Sequence, residues 1–178
     1  PQNPYGAVRA AAYQLIRQYR VTFGVYASVG FLFNHESPLR GDAFVTSKIA
    51  QRAWEISHGA ATRLELGNID IERDWGWAPE YVNAMWNMLQ LDTPGDCVIA
   101  TGRTYSLKDF LQSAFSSLGL QWEDHVVSSP SLMRAEDPKI IRANPSKIHE
   151  LTGWRATVFV PEIARRMVEA KKNAAALY

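Results

Sequence analysis

The stretch FNHESPLRG at positions 33–41 decides the fold assignment, because it joins two segments of different periodicity. The apolar run before it, residues 26–33, has the length and composition of a β-strand. The segment after it, from Phe44 to His58, has apolar residues at helical spacing. A strand, a polar loop and a helix in this order indicate a parallel α/β sheet. In such sheets, ligands bind beyond the carboxyl ends of the strands.

The loop itself carries four polar side chains of different chemistry. Asn34, His35, Glu36 and Arg40 place an amide, an imidazole, a carboxylate and a guanidinium within seven residues. Their position after a strand predicts a ligand site. The alternative is a solvated loop with an Asx-turn at Asn34 and a bend at Pro38. The residue pattern alone leaves both interpretations open.

Helical and strand patterns alternate through the rest of the chain. Ser106 and Asp109 predict a capping box at the start of one helix. On the helix from Phe44, we expect the buried side to consist of Phe44, Ile49, Ala53, Trp54 and Ile56. In the helix that follows Trp77, we expect the packing residues to include Met85, Trp86 and Met88. The predicted helices are 4–20, 44–58, 78–91, 106–119 and 160–175, and the predicted strands are 26–33, 62–66, 97–100 and 121–127.

Composition excludes several function classes. The chain has 178 residues, of which 47% are hydrophobic, and 19 basic against 18 acidic residues give a net charge of +1. This balance argues against a nucleic-acid surface built on bulk charge. No apolar run approaches the roughly 20 residues of a membrane span. The single Cys97 excludes an internal disulfide, is expected to be buried, and fits a reducing cytoplasm.

Near the start of the chain, Tyr5 and Arg9 lie four residues apart and therefore share a helix face. A neighbouring cation favours the phenolate form of tyrosine, so Tyr5 can act as a base. The alternative is the ordinary start of an amphipathic helix. The chain opens at Pro1 without an initiator Met, which we interpret as a fragment.

Four blocks in order resemble the GDP-mannose 4,6-dehydratase family of extended short-chain dehydrogenases/reductases. They are PYGA at 4–7, NHESPLRG at 34–41, the segment 66–82 with LGN and RDWG, and IATG at 99–102. The resemblance implies an α/β fold, namely the carboxyl-terminal part of an extended short-chain dehydrogenase/reductase, with the last part of a Rossmann-type sheet plus a small α/β substrate domain. Residues 1–33 would be a remnant of the Rossmann-type domain, and residues 34–178 mainly the nucleotide-sugar-binding domain.

The resemblance also implies residue roles. Tyr5 would be catalytic, with Arg9 at the position of the family lysine. Asp74 would hold Arg73 or the loop backbone, and Glu36 would orient His35 or its loop rather than touch the ligand. The implied cofactor-binding residues are Tyr5, Arg9, His35 and Arg40, and the implied substrate-binding residues are Asn34, Val45, Lys48, Arg73, Arg134 and Glu136, with Asp137 as the alternative acid after a one-residue shift.

The chain departs from the family pattern in several places. Arg9 replaces a lysine, Ser47 stands where many relatives have arginine, and Ala135 replaces a proline. Arginine keeps the charge but not the compact ammonium geometry. The sequence has no Gly-x-Gly-x-x-Gly, the turn that holds dinucleotide phosphates.

The implied function is a lyase that converts GDP-mannose to GDP-4-keto-6-deoxy-mannose, a step of GDP-fucose biosynthesis, by NADP-mediated internal redox and loss of water. This activity would require the missing amino-terminal half. The resemblance also implies a cytoplasmic location and, for the full-length protein, a homo-oligomer. Two alternatives stay open. One is a non-catalytic nucleotide-sugar-binding or assembly module derived from that family, and the other is a GDP-4-keto-6-deoxy-mannose reductase.

Overall fold

A computed structural model describes residues 1, 3–133 and 138–175 and has an α/β architecture. Its helices are α1 (Pro4–Phe23), α2 (Val45–Ser57), α3 (Ala78–Met88), α4 (Leu107–Ser116), α5 (Ser146–Thr152) and α6 (Val160–Ala175). Its strands are β1 (Val29–Leu32), β2 (Asn34–Glu36), β3 (Leu64–Leu66), β4 (Glu72–Arg73), β5 (Trp75–Trp77), β6 (Asp96–Ile99), β7 (Tyr105–Ser106) and β8 (Val126–Ser128). None of the helices within these residues is long and apolar enough to cross a bilayer.

The described strands pair mainly in parallel. β1 pairs with β6, β2 with β5, and β3 with β8, all in parallel, whereas β4 and β7 are antiparallel. The chain passes from β1 directly into β2, and the amide of Phe33 between them donates to the carbonyl of Ile99. Parallel strands joined through helices confirm the α/β prediction.

Helix α1 docks onto β1 and β6 through polar contacts. The guanidinium of Arg20 donates to the carboxylate of Asp96, with Nη2 2.5 Å from Oδ1, and the Tyr13 hydroxyl donates to Oδ2 of Asp96 at 3.2 Å. Tyr13 also packs edge-on against Phe31. None of the 20 residues of α1, all of which the structure describes, is buried.

Two hydrophobic clusters hold the described residues together. The larger joins α2, α4 and α6 to β3 and β5, and its largest buried side chains include Trp75, Phe110 and Phe115. The smaller packs α3 and α5 against β6 and contains Tyr81, Cys97, Ile99, Ile148 and Trp154. The residue ranges predicted for two domains, 1–33 and 34–178, stay a prediction.

Several local predictions are confirmed. α6 spans the predicted range, and Cys97 is buried. In the capping box of α4, the amide of Asp109 donates to Oγ of Ser106 at 3.1 Å, and the Ser106 amide donates back to Oδ2 of Asp109 at 2.8 Å. Gly119 follows α4 with a φ of 72°, a left-handed conformation that glycine adopts without strain.

Other local predictions are wrong. The predicted strand 121–127 begins instead with a 3₁₀ turn, Trp122–Asp124, and only Val126–Ser128 is extended. Met85 and Trp86 lie on the outer face of α3 and are exposed, because only the face with Tyr81, Ala84 and Met88 meets β6. Phe44 is half exposed rather than buried, since it is the residue before α2 and its ring turns toward the loop.

Candidate functional site

A cavity of about 520 Å³ lies where β2, the loop after it and the start of α2 face β3 and β4. This volume is within the range of small-molecule sites. Five residues predicted from sequence contribute to its wall, namely Asn34, Arg40, Val45, Lys48 and Arg73. The other lining residues are Glu36, Ala43, Phe44, Thr46, Leu66, Gly67, Asn68, Ile71, Trp75, Leu107, Leu132 and Ile141.

Strand β2 determines which side chains of the polar stretch reach the cavity. Successive side chains of a strand point to opposite faces. Asn34 and Glu36 therefore face the cavity together, whereas His35 points away. The His35 ring lies 5.2 Å from the ring of Tyr81, and its Nδ1 is 2.8 Å from the carbonyl oxygen of Phe33.

Glu36 is a buried carboxylate at the base of the cavity, with 1% of its surface exposed. It accepts a hydrogen bond of 2.6 Å from the hydroxyl of Thr46, in the first turn of α2. Burial raises the pKa of Glu36, while Thr46 and the nearby Arg40 oppose that shift. Glu36 thus ties β2 to α2, which agrees with the supporting role expected for it.

Arg40 lies between an acid and an aromatic ring. Its guanidinium carbon is 3.6 Å from the centre of the Phe44 ring, and its Nε is 3.3 Å from Oε2 of Glu36. The contact between Nε of Arg40 and Oε2 of Glu36 is within ion-pair distance. It lacks the alignment of a hydrogen bond, so the buried Nε has no hydrogen-bond partner among the described residues. It is therefore a charge contact. The Arg40 side chain is one-quarter exposed, so the other donors of its guanidinium remain open to a ligand oxygen.

The first turn of α2 contributes a helix amino terminus and a lysine. Phe44 precedes the helix and provides no side-chain cap, so the first backbone amides of α2 have no capping side chain. Nζ of Lys48 donates to the carbonyl oxygen of Glu65 at 2.7 Å, which holds the ammonium group at the wall of the cavity. Both the helix dipole and Lys48 favour an anion here.

Arg73 is 7% exposed and reaches the cavity from β4. Its Nη1 donates to the carbonyl oxygen of Glu72 at 2.8 Å. Next to it, the buried Asp74 accepts from the amide and the hydroxyl of Thr101 at 2.9 and 2.8 Å, and from the amide of Gly102 at 2.8 Å. Burial raises the pKa of Asp74, and these donors oppose the shift. Of the two roles predicted for Asp74, the structure bears out the one in which it holds loop backbone.

The lining has an excess of positive charge. Arg40, Lys48 and Arg73 are cationic, and Glu36 is the only acid among the described lining residues. Cations therefore outnumber acids three to one in the described lining. An arginine fork matches phosphate oxygens in bidentate geometry. The cavity is therefore suited to a ligand with a diphosphate group.

Tyr5 and Arg9 form a pair outside this lining. Nε of Arg9 donates to the Tyr5 hydroxyl at 3.2 Å, and its guanidinium carbon lies 5.2 Å from the ring centre. Arg20 lies beside Ala27 before β1, and Tyr13 beside Phe31 within it. The start of α1 therefore extends past the carboxyl end of β1, with Tyr5 about 12 Å beyond Tyr13 along the helix.

Two predicted residues, Arg134 and Glu136, lie outside the described residues, as does Asp137. Sequence reasoning missed the role of Phe44 as a platform for Arg40, and it missed Asn68, Trp75 and Ile141 as lining residues. Asn68 follows a short strand and could have been found from that position, whereas no sequence signal marks Ile141. Among the described residues, no group of three His, Cys, Asp or Glu side chains could hold a metal ion.

Comparison with known proteins assigns the fold and the family. A family model described as GDP-mannose 4,6 dehydratase matches residues 1–167. One curated relative, GDP-mannose 4,6 dehydratase 1 of Arabidopsis thaliana, is 42% identical over 95% of this chain and 47% of its own length. Another, GDP-mannose 4,6 dehydratase of Homo sapiens, is 36% identical over 96% of this chain and 50% of its own length. The chain thus spans about half the length of the curated relatives it matches.

Solved structures give the same fold at lower identity. The structure of RMD from Pseudomonas aeruginosa complexed with NADPH has a TM-score of 0.90 at 23% identity, over 98% of this chain and 58% of that one. A dTDP-glucose 4,6-dehydratase from Bacillus anthracis in complex with NAD has a TM-score of 0.85 at 16% identity, over 100% and 55%.

Parallel strand pairs, a cavity beyond their carboxyl ends and these structural neighbours place the chain in one α/β fold class with the two solved structures. The carboxyl-terminal position expected from the sequence agrees with the half-length coverage. Within that class, the chain belongs to the GDP-mannose 4,6-dehydratase family.

Proposed function

We propose that this chain is the nucleotide-sugar-binding part of a GDP-mannose 4,6-dehydratase, a cytoplasmic lyase that forms GDP-4-keto-6-deoxy-mannose and acts with an amino-terminal part. The single observation that carries the proposal is the convergence of Arg40, Lys48 and Arg73 on one cavity whose described lining contains one acid, Glu36. A nucleotide sugar brings a diphosphate with two negative charges, which this lining would neutralise. The names of the curated relatives support GDP-mannose as the sugar nucleotide.

Within this proposal, the residues divide the ligand between them. Arg73 and Lys48 would hold the diphosphate, because their heads are fixed at the wall of the cavity by contacts with backbone carbonyls. Asn34 would bind the sugar with its amide, and Val45 would pack against the nucleotide. Arg134 and Glu136 would add a phosphate contact and a ribose contact, as the family resemblance implies.

The cofactor proposed for the reaction is NADP, and the residues present fit part of its site. Arg40, whose partly exposed guanidinium also adds its charge to the first cavity, and His35 would contact the dinucleotide. When bound, NADP would supply a hydride acceptor for C4 of the sugar and return the hydride to C6. Tyr5 would remove the proton of the C4 hydroxyl, and Arg9 would hold the phenolic oxygen through its 3.2 Å contact.

The remaining steps require groups from outside this chain. Once C4 is a ketone, the proton on C5 is acidic and water can leave across C5–C6. In the family, the glutamate that handles this proton lies upstream of the catalytic tyrosine. We therefore propose an amino-terminal part as a partner and, by analogy with the full-length family, a homo-oligomer.

Calorimetric titration of the purified chain with GDP-mannose tests the proposal. We expect saturable binding, and a dissociation constant at least about tenfold higher for Arg73→Gln, since a hydrogen bond to a charged group contributes about 1.5–3 kcal/mol. Arg63→Gln is the matched control, because Arg63 is exposed and outside the lining. Equal affinity for UDP-glucose, or no loss in Arg73→Gln, would contradict the substrate assignment.

One observation favours a second candidate, a binding module without catalysis. Arg9 occupies the lysine position of the family motif, and its guanidinium is larger than an ammonium group. An Arg9→Lys variant, assayed for GDP-mannose turnover together with an amino-terminal part, separates the two candidates. Turnover by the wild-type chain establishes the dehydratase, whereas turnover only by Arg9→Lys establishes the binding module.

A further inference from the structure

A second cavity of about 370 Å³ lies where the loop after β6 meets the start of α5. It shares no lining residue with the first cavity. Its volume is large enough for a small organic ligand. The described lining consists of Ala100, Thr101, Arg103, Asn144, Pro145, Ser146, His149, Trp154, Arg155, Ala156 and Phe159.

The wall of this cavity is held by contacts that leave little freedom. Gly102 has a φ of 74°, and a Cβ at that position would lie 3.2 Å from Cδ of Pro145, so the loop and α5 approach closely. Asp74 fixes the amides of Thr101 and Gly102. On the other side, the indole Nε1 of Trp154 donates to the carbonyl oxygen of Glu80 at 3.1 Å. The cavity is therefore preformed.

Three basic side chains face this preformed space, and its described lining contains no Asp or Glu. The guanidinium carbon of Arg103 lies 4.1 Å from the ring centre of Phe159. Nε of Arg155 lies 3.1 Å from Nδ1 and 3.0 Å from Nε2 of His149. Neither arginine forms an ion pair with a carboxylate within the described part of the chain.

The carboxylate of Glu80, which lies beside this segment, is already used. Oε1 of Glu80 accepts from the amide and the hydroxyl of Thr157 at 2.9 and 2.5 Å, and Oε2 accepts from the amide of Val158 at 3.2 Å. Arg103 and Arg155 are both exposed, and no acid among the described lining residues offsets their positive charge. The cavity therefore favours an anion over a cation.

We propose that this cavity is a second anion site, which binds the phosphate group of a small phosphorylated ligand. The two guanidinium groups provide several N–H donors, which match a group with three or more oxygens better than a carboxylate with two. Phe159, Pro145 and Trp154 form an apolar floor on which the rest of the ligand packs. This site is independent of the nucleotide-sugar cavity.

Amide and indole chemical shifts of the ¹⁵N-labelled chain, titrated at constant ionic strength, test the proposal. The probes are inorganic phosphate, AMP and, as a carboxylate, acetate. We expect saturable shifts at Gly102, His149 and the Trp154 indole with phosphate and AMP. Tighter binding of AMP than of phosphate would assign a nucleotide as the ligand, and equal affinities would assign the phosphate group alone.

Two variants separate this site from the first cavity. Arg155→Gln is expected to raise the dissociation constants of phosphate and AMP at least about fivefold at these signals, while Arg63→Gln removes the same charge elsewhere and leaves them unchanged. Shifts confined to Asn68 and Arg73 report the first cavity and, because Gly102 is then unaffected, overturn the proposal. Saturation that is as tight for acetate, the absence of saturable shifts at Gly102, or unchanged affinity in Arg155→Gln each overturn the proposal.

Discussion

The guanidinium carbon of Arg40 lies 3.6 Å from the centre of the Phe44 ring, so an aromatic side chain at the start of α2 positions a charge of the first cavity. Glu36 approaches the same guanidinium at 3.3 Å. The ring face and the carboxylate together restrict Arg40 before any ligand arrives. Pre-positioning of this kind reduces the conformational entropy that the Arg40 side chain loses when a ligand binds.

Replacement of Phe44 by leucine is expected to weaken GDP-mannose binding about two- to fivefold, because a partly exposed cation–π contact contributes about 0.5–1 kcal/mol. Phe44→Trp keeps an aromatic face and is expected to bind as the wild type does. Calorimetry on both variants provides the comparison. If leucine and tryptophan bind with the same affinity, the ring does not position Arg40.

Replacement of Glu36 by glutamine is expected to change how stability depends on pH. Because burial raises the pKa of Glu36, the folded state retains a proton at pH values where the unfolded state, with a pKa near 4.3, has lost it. Wild-type stability therefore falls as pH rises from about 4.3 through the raised folded-state pKa. Glutamine mimics the protonated form and lacks this loss.

Urea unfolding of the wild type and of Glu36→Gln at pH 4 and pH 7.5 checks this. The free energy of unfolding of Glu36→Gln, relative to the wild type, is expected to increase between the two pH values. A relative stability that is constant, or that decreases, would show that the carboxylate is not penalised by burial. Glu36→Ala, which also leaves the Thr46 hydroxyl without its acceptor, is expected to be less stable than Glu36→Gln at both pH values.

Replacement of Asp96 by asparagine is expected to destabilise the docking of α1. The hydrogen bond from Arg20 lowers the pKa of Asp96, with further help from Tyr13 and the amide of Val29. The lowered pKa means that the stabilisation is present above the unfolded-state value of about 3.9 and is lost as pH falls through the folded-state value. At pH 7 we expect a loss of about 1.5–3 kcal/mol, which shrinks toward pH 2.

Glu169→Gln is the control for that prediction. Glu169 pairs with Arg165 at 3.1 Å, but both side chains are more than half exposed, so the loss is expected to be much smaller than that of Asp96→Asn. Chemical denaturation of both variants at pH 7 and at pH 2–3 provides the comparison. Equal effects of the two substitutions would contradict the role of Asp96 as an anchor.

Replacement of Gly67 by alanine is expected to destabilise the protein and narrow the first cavity. A Cβ at Gly67 would lie 2.4 Å from the backbone carbonyl oxygen of Leu132, which cannot move without its own segment. We expect a cost of about 1–3 kcal/mol. Gly41→Ala is the control, since its Cβ would meet only the Phe44 ring at 3.7 Å. Thermal unfolding distinguishes the two, and a Gly67→Ala protein as stable as Gly41→Ala would rule out the close approach.

Local chemistry was readable from the sequence. The capping box of Ser106 and Asp109 and the range of α6 follow from residue types a few positions apart. The polar stretch after β1 was found because chemistry-bearing residues follow a strand. Family resemblance, rather than pattern, singled out Lys48 and Arg73, which the structure brings to the same cavity.

What depends on contacts between distant segments was not readable. Trp86 has helical spacing and an apolar ring, yet it is exposed, because only one face of α3 packs on β6. Phe44 has the residue type of a core position, but the guanidinium four residues before it draws its ring toward the loop. Ile141 lines the first cavity only because the chain returns there after a long excursion. The spacing of apolar residues predicts which face of an element is buried, but it does not identify the segment that packs against that face.

The weak attachment of α1 affects the order in which segments of the chain unfold locally. Its 20 residues bury no side chain, and Tyr13 and Arg20 hold it through the Asp96 carboxylate, the Ala27 carbonyl and the Phe31 ring. Segments with few buried contacts exchange their amide protons through local opening at low free energy, whereas core segments exchange only through global unfolding. Amides of α1 should therefore exchange first, ahead of α4 and α6. The residue proposed to move a proton stands on the least protected helix of the chain.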